Sequence, residues 1–256
     1  MTPLPRVPMI RMIGRSLGMI AANGGPMRHT ARHERRGEAR LPAVIATLVA
    51  ITLYAALPSK LVVGPRFVLP ALEVVLLVAL VAVNPVRMTR ETRWSRAMSL
   101  GLAALIAAAN TVVLVLLIRK LVQGKASDGN ALLVGSAQVW LTNVIAYALL
   151  YWQLDRGGAV TRTQQDRELL PAADFRFSQD ENDDAIVEVA KGSSKSADWV
   201  PTLVDYLYVS ITNSTAFSPT DTMPLTSRAK VLMALESVSA LVLSVLVIAH
   251  GVGSLK

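Results

Sequence analysis

Apolar residues gather in five long blocks along this chain. They cover roughly residues 41–58, 67–86, 97–121, 131–153 and 227–252, each rich in Leu, Val, Ala and Ile and poor in charge. A helix needs about 20 mostly apolar residues to cross about 30 Å of hydrocarbon. In lipid the backbone must satisfy its own hydrogen bonds, and blocks this long are helices rather than barrel strands. The pattern therefore predicts an all-α integral membrane protein with about five transmembrane helices.

Two polar stretches separate the fourth block from the fifth. Residues 154–201 show no sustained period and few apolar positions, which predicts a polar, partly flexible loop. A short strand is expected only over residues 185–190 (AIVEVA). Residues 205–221 (DYLYVSITNSTAFSPTD) are too short and too polar for a span. They predict a half-length helix capped by Asp198 or Thr202, with Pro201 near its first turn. It would run to about Ala216, with Pro219 and Pro224 stopping it. A re-entrant path for this helix is preferred over a full crossing from Trp199 to Phe217. The resulting organisation is a basic tail (1–40), a four-helix transmembrane bundle (41–153), a polar loop (154–201) and a pore-helix-like segment with a final span (202–256).

Composition sharpens the class. The chain is 52% hydrophobic and 17% charged, where a soluble domain carries about 25% charge. It has no cysteine, so disulfides and thiolate metal sites are out. The formal charge is +8, but the bases sit beside apolar blocks, where they report topology or anionic lipid rather than nucleic acid. Arg6, Arg11, Arg15, Arg28, Arg32, Arg35, Arg36 and Arg40 crowd the first 40 residues against Glu34 and Glu38. That tail is expected at anionic headgroups, with Val7 to Ala22 as a basic amphipathic stretch. Its arginines also break up any signal-peptide core. Arg87, Arg90, Arg93 and Arg96 fill the connection between the second and third blocks. The positive-inside rule puts that connection and the tail in the cytoplasm, and the protein in the cell membrane.

The segment from Ser210 to Val252 resembles the pore helix, filter and inner helix of the two-transmembrane potassium-channel module. Thr212, Thr215, Asp221 and Pro224 fall where that family's TxxTxGYGD pattern and following proline place their counterparts, and the run between them is Ala216, Phe217, Ser218, Pro219 and Thr220. The resemblance implies an ion-channel-like, multi-pass protein with a pore loop, a homotetrameric assembly and a monovalent cation as permeant ion. The filter glycines correspond to Ser218 and Thr220, and the filter tyrosine to Pro219. A carbonyl cage needs backbone that glycine permits and proline forbids. A potassium-type filter is therefore not expected, and conduction would be weakly selective or absent. Counted from a cytoplasmic amino terminus, the loop enters from inside, as in the inverted pore of ionotropic glutamate receptors; the alternatives are an amino terminus outside, against the arginines, or a full sixth crossing by residues 199–217.

Two acids lie inside apolar blocks, Glu73 and Glu236. Intramembrane acids default to function because they are expensive there. Glu236 is the stronger candidate, with Ser237, Ser239 and Ser244 near it; the plainer expectation is an acid that is buried, protonated or paired with a base such as Arg228 or Arg87. Asn110, Gln138 and Asn143 are expected to hydrogen-bond between helices, and Gly101, Ala104 and Ala108 to let helices approach closely. A single histidine such as His250 makes no metal site. The chain has no P-loop, dinucleotide fingerprint, HExxH or supported GxSxG, so neither an enzyme nor a resident cofactor is expected. Two readings compete with the channel. One is a structural or interaction protein carrying a relic pore fold and using residues 154–201. The other is a small transporter using Glu236.

Overall fold

The computed structural model describes residues 37–62, 65–122, 129–181, 184–215 and 221–253. The described chain is all-α apart from one pair of two-residue strands. Its helices are α1 (Leu41–Ala55), α2 (Val68–Val83), α3 (Arg93–Val122), α4 (Gly129–Leu154), α5 (Ala159–Gln164), α6 (Val187–Ala190), α7 (Ser194–Ala197), α8 (Leu203–Thr215) and α9 (Ser227–Gly253). Strand β1 (Phe175–Arg176) pairs antiparallel with β2 (Met223–Pro224). Three helical runs, Arg93–Val122, Ala131–Gly157 and Ser227–Ala249, are long and apolar enough to cross a membrane. The first two predicted blocks are also helices, but of 15 and 16 residues, about 22–24 Å long at 1.5 Å per residue.

Helices α1 to α4 run alternately up and down. At one end Arg40 donates its amide to Val86 O at 3.1 Å, and Met88 donates to Glu38 O at 3.0 Å. The guanidinium of Arg96 reaches Gly157 O at the same end. At the opposite end Tyr54, Leu57 and Leu61 bury with Val113, Leu114, Leu117 and Leu132. The amide of Asn110 in α3 donates to Asn143 Oδ1 in α4 at 3.2 Å, as expected for an interhelical pair. The small residues of α3 do not pack as expected. Gly101, Ala104 and Ala108 lie on its exposed face, and nothing approaches the Cβ position of Gly101. The buried face is instead Leu102, Ala103, Ile106, Asn110, Val113, Leu114 and Leu117.

Residues 155–201 correct one expectation, the strand. The described residues of this polar segment form a cap closed by buried polar contacts. Asp155 Oδ1 accepts the amides of Asp174 and Phe175 at 2.6 and 3.3 Å. Arg156, at φ 49°, reaches Asp180 at 2.6 Å. Phe175 and Phe177 stack edge-on against Tyr151, Tyr206 and Trp199, with ring centroids 5.1–6.4 Å apart across the cluster. The expected strand at 185–190 is a helical turn, α6. Its side chains from Ala185 to Val189 are exposed, so no sheet edge exists there to reward alternation.

Helices α8 and α9 start at the same end of the bundle. Near the start of α8, Tyr206 donates to Asp155 Oδ2 at 2.6 Å. Near the start of α9, Arg228 donates to both oxygens of Asp174 at 2.7 and 2.6 Å, and Thr226 donates to the same carboxylate. Asp155 and Asp174 are themselves joined. The chain between α8 and α9 therefore returns to the end it left. Helix α8, 13 residues long, reaches about 20 Å into the bundle and stops beside the middle of α9.

Candidate functional site

The buried face of α8 is apolar at Leu203 and Val209 and turns polar toward its end. Tyr206, Ser210, Asn213 and Ser214 are all at most 2% exposed, whereas Val204, Tyr208 and Ile211 face outward. Spacings of three and four put the first set on one face of the helix. That face meets Glu236 of α9, which is completely buried.

Glu236 collects four neutral donors. Tyr151 of α4 donates to Oε2 at 2.6 Å, and Asn213 Nδ2 to the same oxygen at 2.7 Å. Ser214 donates to Oε1 at 3.1 Å, and Ser210 to Oε1 as well. Ser210 also lies 2.8 Å from Val144 O, and Asn213 Nδ2 lies 3.0 Å from Met233 O. Ser237 closes the cluster by donating to Asn213 Oδ1 at 2.8 Å. A buried carboxyl is tolerable only with such saturation. The expected base partner is absent among the described residues: Arg228 is committed to Asp174 and Arg87 to Gly37 O. Of the serines expected nearby, only Ser237 joins; Ser239 and Ser244 bond back to Leu235 O and Ala240 O of their own helix.

A groove of about 330 Å³ runs along this cluster, lined by Asn213, Thr222, Lys230, Met233 and Ser237 among others. It shares Asn213 and Ser237 with the Glu236 network. Glu236 itself does not line the groove, whose polar wall is the Asn213 amide, the Thr222 and Ser237 hydroxyls and the Lys230 ammonium. Among the described residues no group of three or more His, Cys, Asp or Glu could hold a metal ion.

The residues expected to form a filter divide differently. Thr212 and Thr215 bond to carbonyls of their own helix, Tyr208 O and Ile211 O, at 2.9 and 2.8 Å. Asp221 is exposed and accepts the Tyr208 hydroxyl at 3.0 Å. Ala216, Phe217, Ser218, Pro219 and Thr220 lie outside the described residues. Glu73 is buried, at 2% exposure, but in α2, and none of the hydrogen bonds at Glu236 involves that helix.

A second buried centre holds the start of α8 and was not expected from the sequence. The Arg162 side chain is fully buried. Its Nε donates to Pro201 O at 2.9 Å, Nη1 to Trp152 O at 2.7 Å, and Nη2 to Glu38 Oε2 at 3.2 Å. Its guanidinium lies 5.1 Å from the Tyr206 ring centre. Glu38 also accepts Trp152 Nε1 and the Leu203 amide, the latter at 2.8 Å. Asp205 takes the Thr202 amide and hydroxyl at 2.7 and 2.9 Å. Two carboxylates thus sit at the N-terminus of α8, where the helix dipole favours them. Thr202, rather than Asp198, occupies the capping position; Asp198 pairs with Arg167 at 2.8 Å. The signal for Glu38 and Arg162 was weak, because charges are ordinary in polar segments.

Compared with protein-family models, curated proteins and solved structures, the chain matches none of them.

Proposed function

We propose that this chain crosses the bilayer five times, through α1 to α4 and α9, and carries monovalent cations along a re-entrant α8–α9 element with Glu236 as its charged post. One observation carries the reading: a half-length helix starts at the same end as α9, stops at its middle, and turns a polar face onto a buried acid. Membrane proteins place intramembrane acids on ion paths and use broken or half helices to build midplane sites. The short helices α1 and α2 count as crossings because each reaches both ends of the bundle that α3 and α4 span. The potassium-channel resemblance of Thr212 to Asp221 adds the expectation of a pore loop and a tetramer. The bases at the cap end make that end cytoplasmic, so the loop is inverted.

Reconstitution of the purified chain in proteoliposomes tests this. Flux of a monovalent cation is expected, reduced at least about tenfold by Glu236→Gln. Absence of flux in every oligomeric state would sink the channel and the transporter alike.

A second reading is favoured by the closure of the site. Four donors from the same chain saturate Glu236, and the return toward α9 is held by Tyr208 on Asp221. That enclosure suits a structural or interaction protein that keeps a pore-like fold without conducting. A monomer by native mass measurement, with no flux, is its signature.

A further inference from the structure

The cap end holds an arginine that the proposed pathway does not use. Arg40 occupies the N-cap of α1 and is 8% exposed. Its Nε is buried and has no hydrogen-bond partner among the described residues. No described carboxylate forms an ion pair with it; the nearest acid in sequence, Glu38, is committed to Arg162, Trp152 and Leu203. Burial alone pulls its pKa below the ordinary arginine value. A cation at a helix N-terminus also opposes the helix dipole. A buried Nε without an acceptor and a cation at the wrong end of a helix are both unfavourable, and a bound anion would relieve both.

The surroundings fit such a ligand. Arg40 lines a cavity of about 40 Å³ between α1, α2, α3 and α4, with Ser99, Trp152 and Gln153 in its wall. It also lines an adjoining cavity of about 20 Å³ beside Arg90, Ser99 and Gln153. The side chains of Ser99, Gln153 and Arg90 make no hydrogen bond within the described chain, so their donors are uncommitted. Asn84 and Ser95 also face the second cavity but are spent on the 84–95 backbone. One carboxylate, Glu91, lines it too; it is held by Arg96 at 3.7 Å and by Thr161 at 3.0 Å.

We propose that Arg40, with Ser99 and Gln153 as neutral donors, binds a compact inorganic anion of halide size at the cap end of the four-helix bundle. Size decides against a lipid. A cavity needs at least about 10–15 Å³ to hold one water, and a benzene-sized group needs about 150 Å³. The larger cavity has room for a single small ion, not an acyl chain.

The test uses the full chain in detergent, with bromide as the probe at constant ionic strength against gluconate. With a dissociation constant on the order of 10 mM, 100 mM bromide raises the unfolding midpoint by about 3–6 °C. Arg40→Gln abolishes the bromide dependence, and a crystal grown in bromide shows an anomalous peak within hydrogen-bond reach of Arg40. If Arg40→Gln does not fold, Ser99→Ala with Gln153→Leu must weaken the dependence at least threefold. Equal midpoints in the two salts, or a bromide shift that survives Arg40→Gln, would overturn the site. So would an anionic lipid that co-purifies with the wild type and is lost in Arg40→Gln, which would give the arginine to a headgroup phosphate instead.

Discussion

Single side chains divide this molecule into charges that are saturated and charges that are not. Glu236 belongs to the first kind. Truncating it strands four donors, each costing about 1–3 kcal/mol when buried without an acceptor. Val144 O and Met233 O remain for Ser210 and Asn213, so Glu236→Ala should lose about 2–4 kcal/mol. Glu236→Gln keeps one acceptor oxygen and should lose less, about 1–2 kcal/mol. Thermal unfolding in detergent separates the two, and equal midpoints for both variants would show that the network carries no stability. Arg162 is the harsher case. Its fork reaches three carbonyl or carboxylate partners in different directions, a geometry that an ammonium cannot copy. Arg162→Met should cost about 3–5 kcal/mol by leaving Glu38 buried and unpaired, and Arg162→Lys should recover little of it. The two residues also differ in how plainly the sequence shows them. An acid inside an apolar run stands out. A base inside a polar run does not, and the partner of Arg162 lies 124 residues away.

At the scale of elements, the second half of α8 is inside out. Leu203, Tyr206 and Val209 bury its first half, but the buried positions that follow are Ser210, Asn213 and Ser214, while Val204, Tyr208 and Ile211 face outward. A helix in water would reverse that order; in a bilayer polar side chains turn inward. Ile211→Asp should therefore abolish membrane integration of the α8–α9 element, at a cost of about 2.5–3.5 kcal/mol for an acid at helix centre. Thr212→Asp, on the half-buried flank, should be milder, and protease protection of the carboxy-terminal part reads both. The half-length helix, its Thr202 cap and the five apolar helices were legible because each is written in local composition. The cap over 155–201 was not. Its organisers are pairs such as Asp155 with Asp174 and Arg156 with Asp180, 19 and 24 residues apart, and no periodicity records them. Gly157 marks the same hidden order. It sits at φ +79°, and a Cβ there would lie 2.8 Å from Thr161 Cγ2. Gly157→Ala should loosen the cap by about 1–3 kcal/mol, seen as faster proteolysis between Arg167 and Lys195.

For the whole molecule the consequence of an inside-out half helix is topological. If α8 crossed fully, β2 and the start of α9 would lie on the opposite side from β1. The geometry denies this within the bundle: Phe175 pairs with Pro224, and Leu225 donates to Asp174 O at 2.7 Å. The filter residues Ala216 to Thr220 were expected to decide the protein's function, yet the decision on path rests on their flanks. Bases agree with the flanks. Arg87, Arg90, Arg93 and Arg96 share the cap end with Arg156, Arg162, Arg167, Arg176 and Arg228, whereas the described far end holds Lys60, Arg66, Arg119 and Lys120. Under the proposed topology the positive-inside rule would put the cap in the cytoplasm. The absence of native cysteine lets single introduced thiols report this directly. Ser178→Cys and Leu225→Cys, both at exposed positions, should react with an impermeant reagent from the cytoplasmic side only. Ser59→Cys, exposed at the other end, should react from outside only. Leu225 labelling together with Ser59 would mean that α8 traverses the membrane. Labelling of Ser178 and Leu225 from outside would keep the hairpin but reverse the proposed orientation.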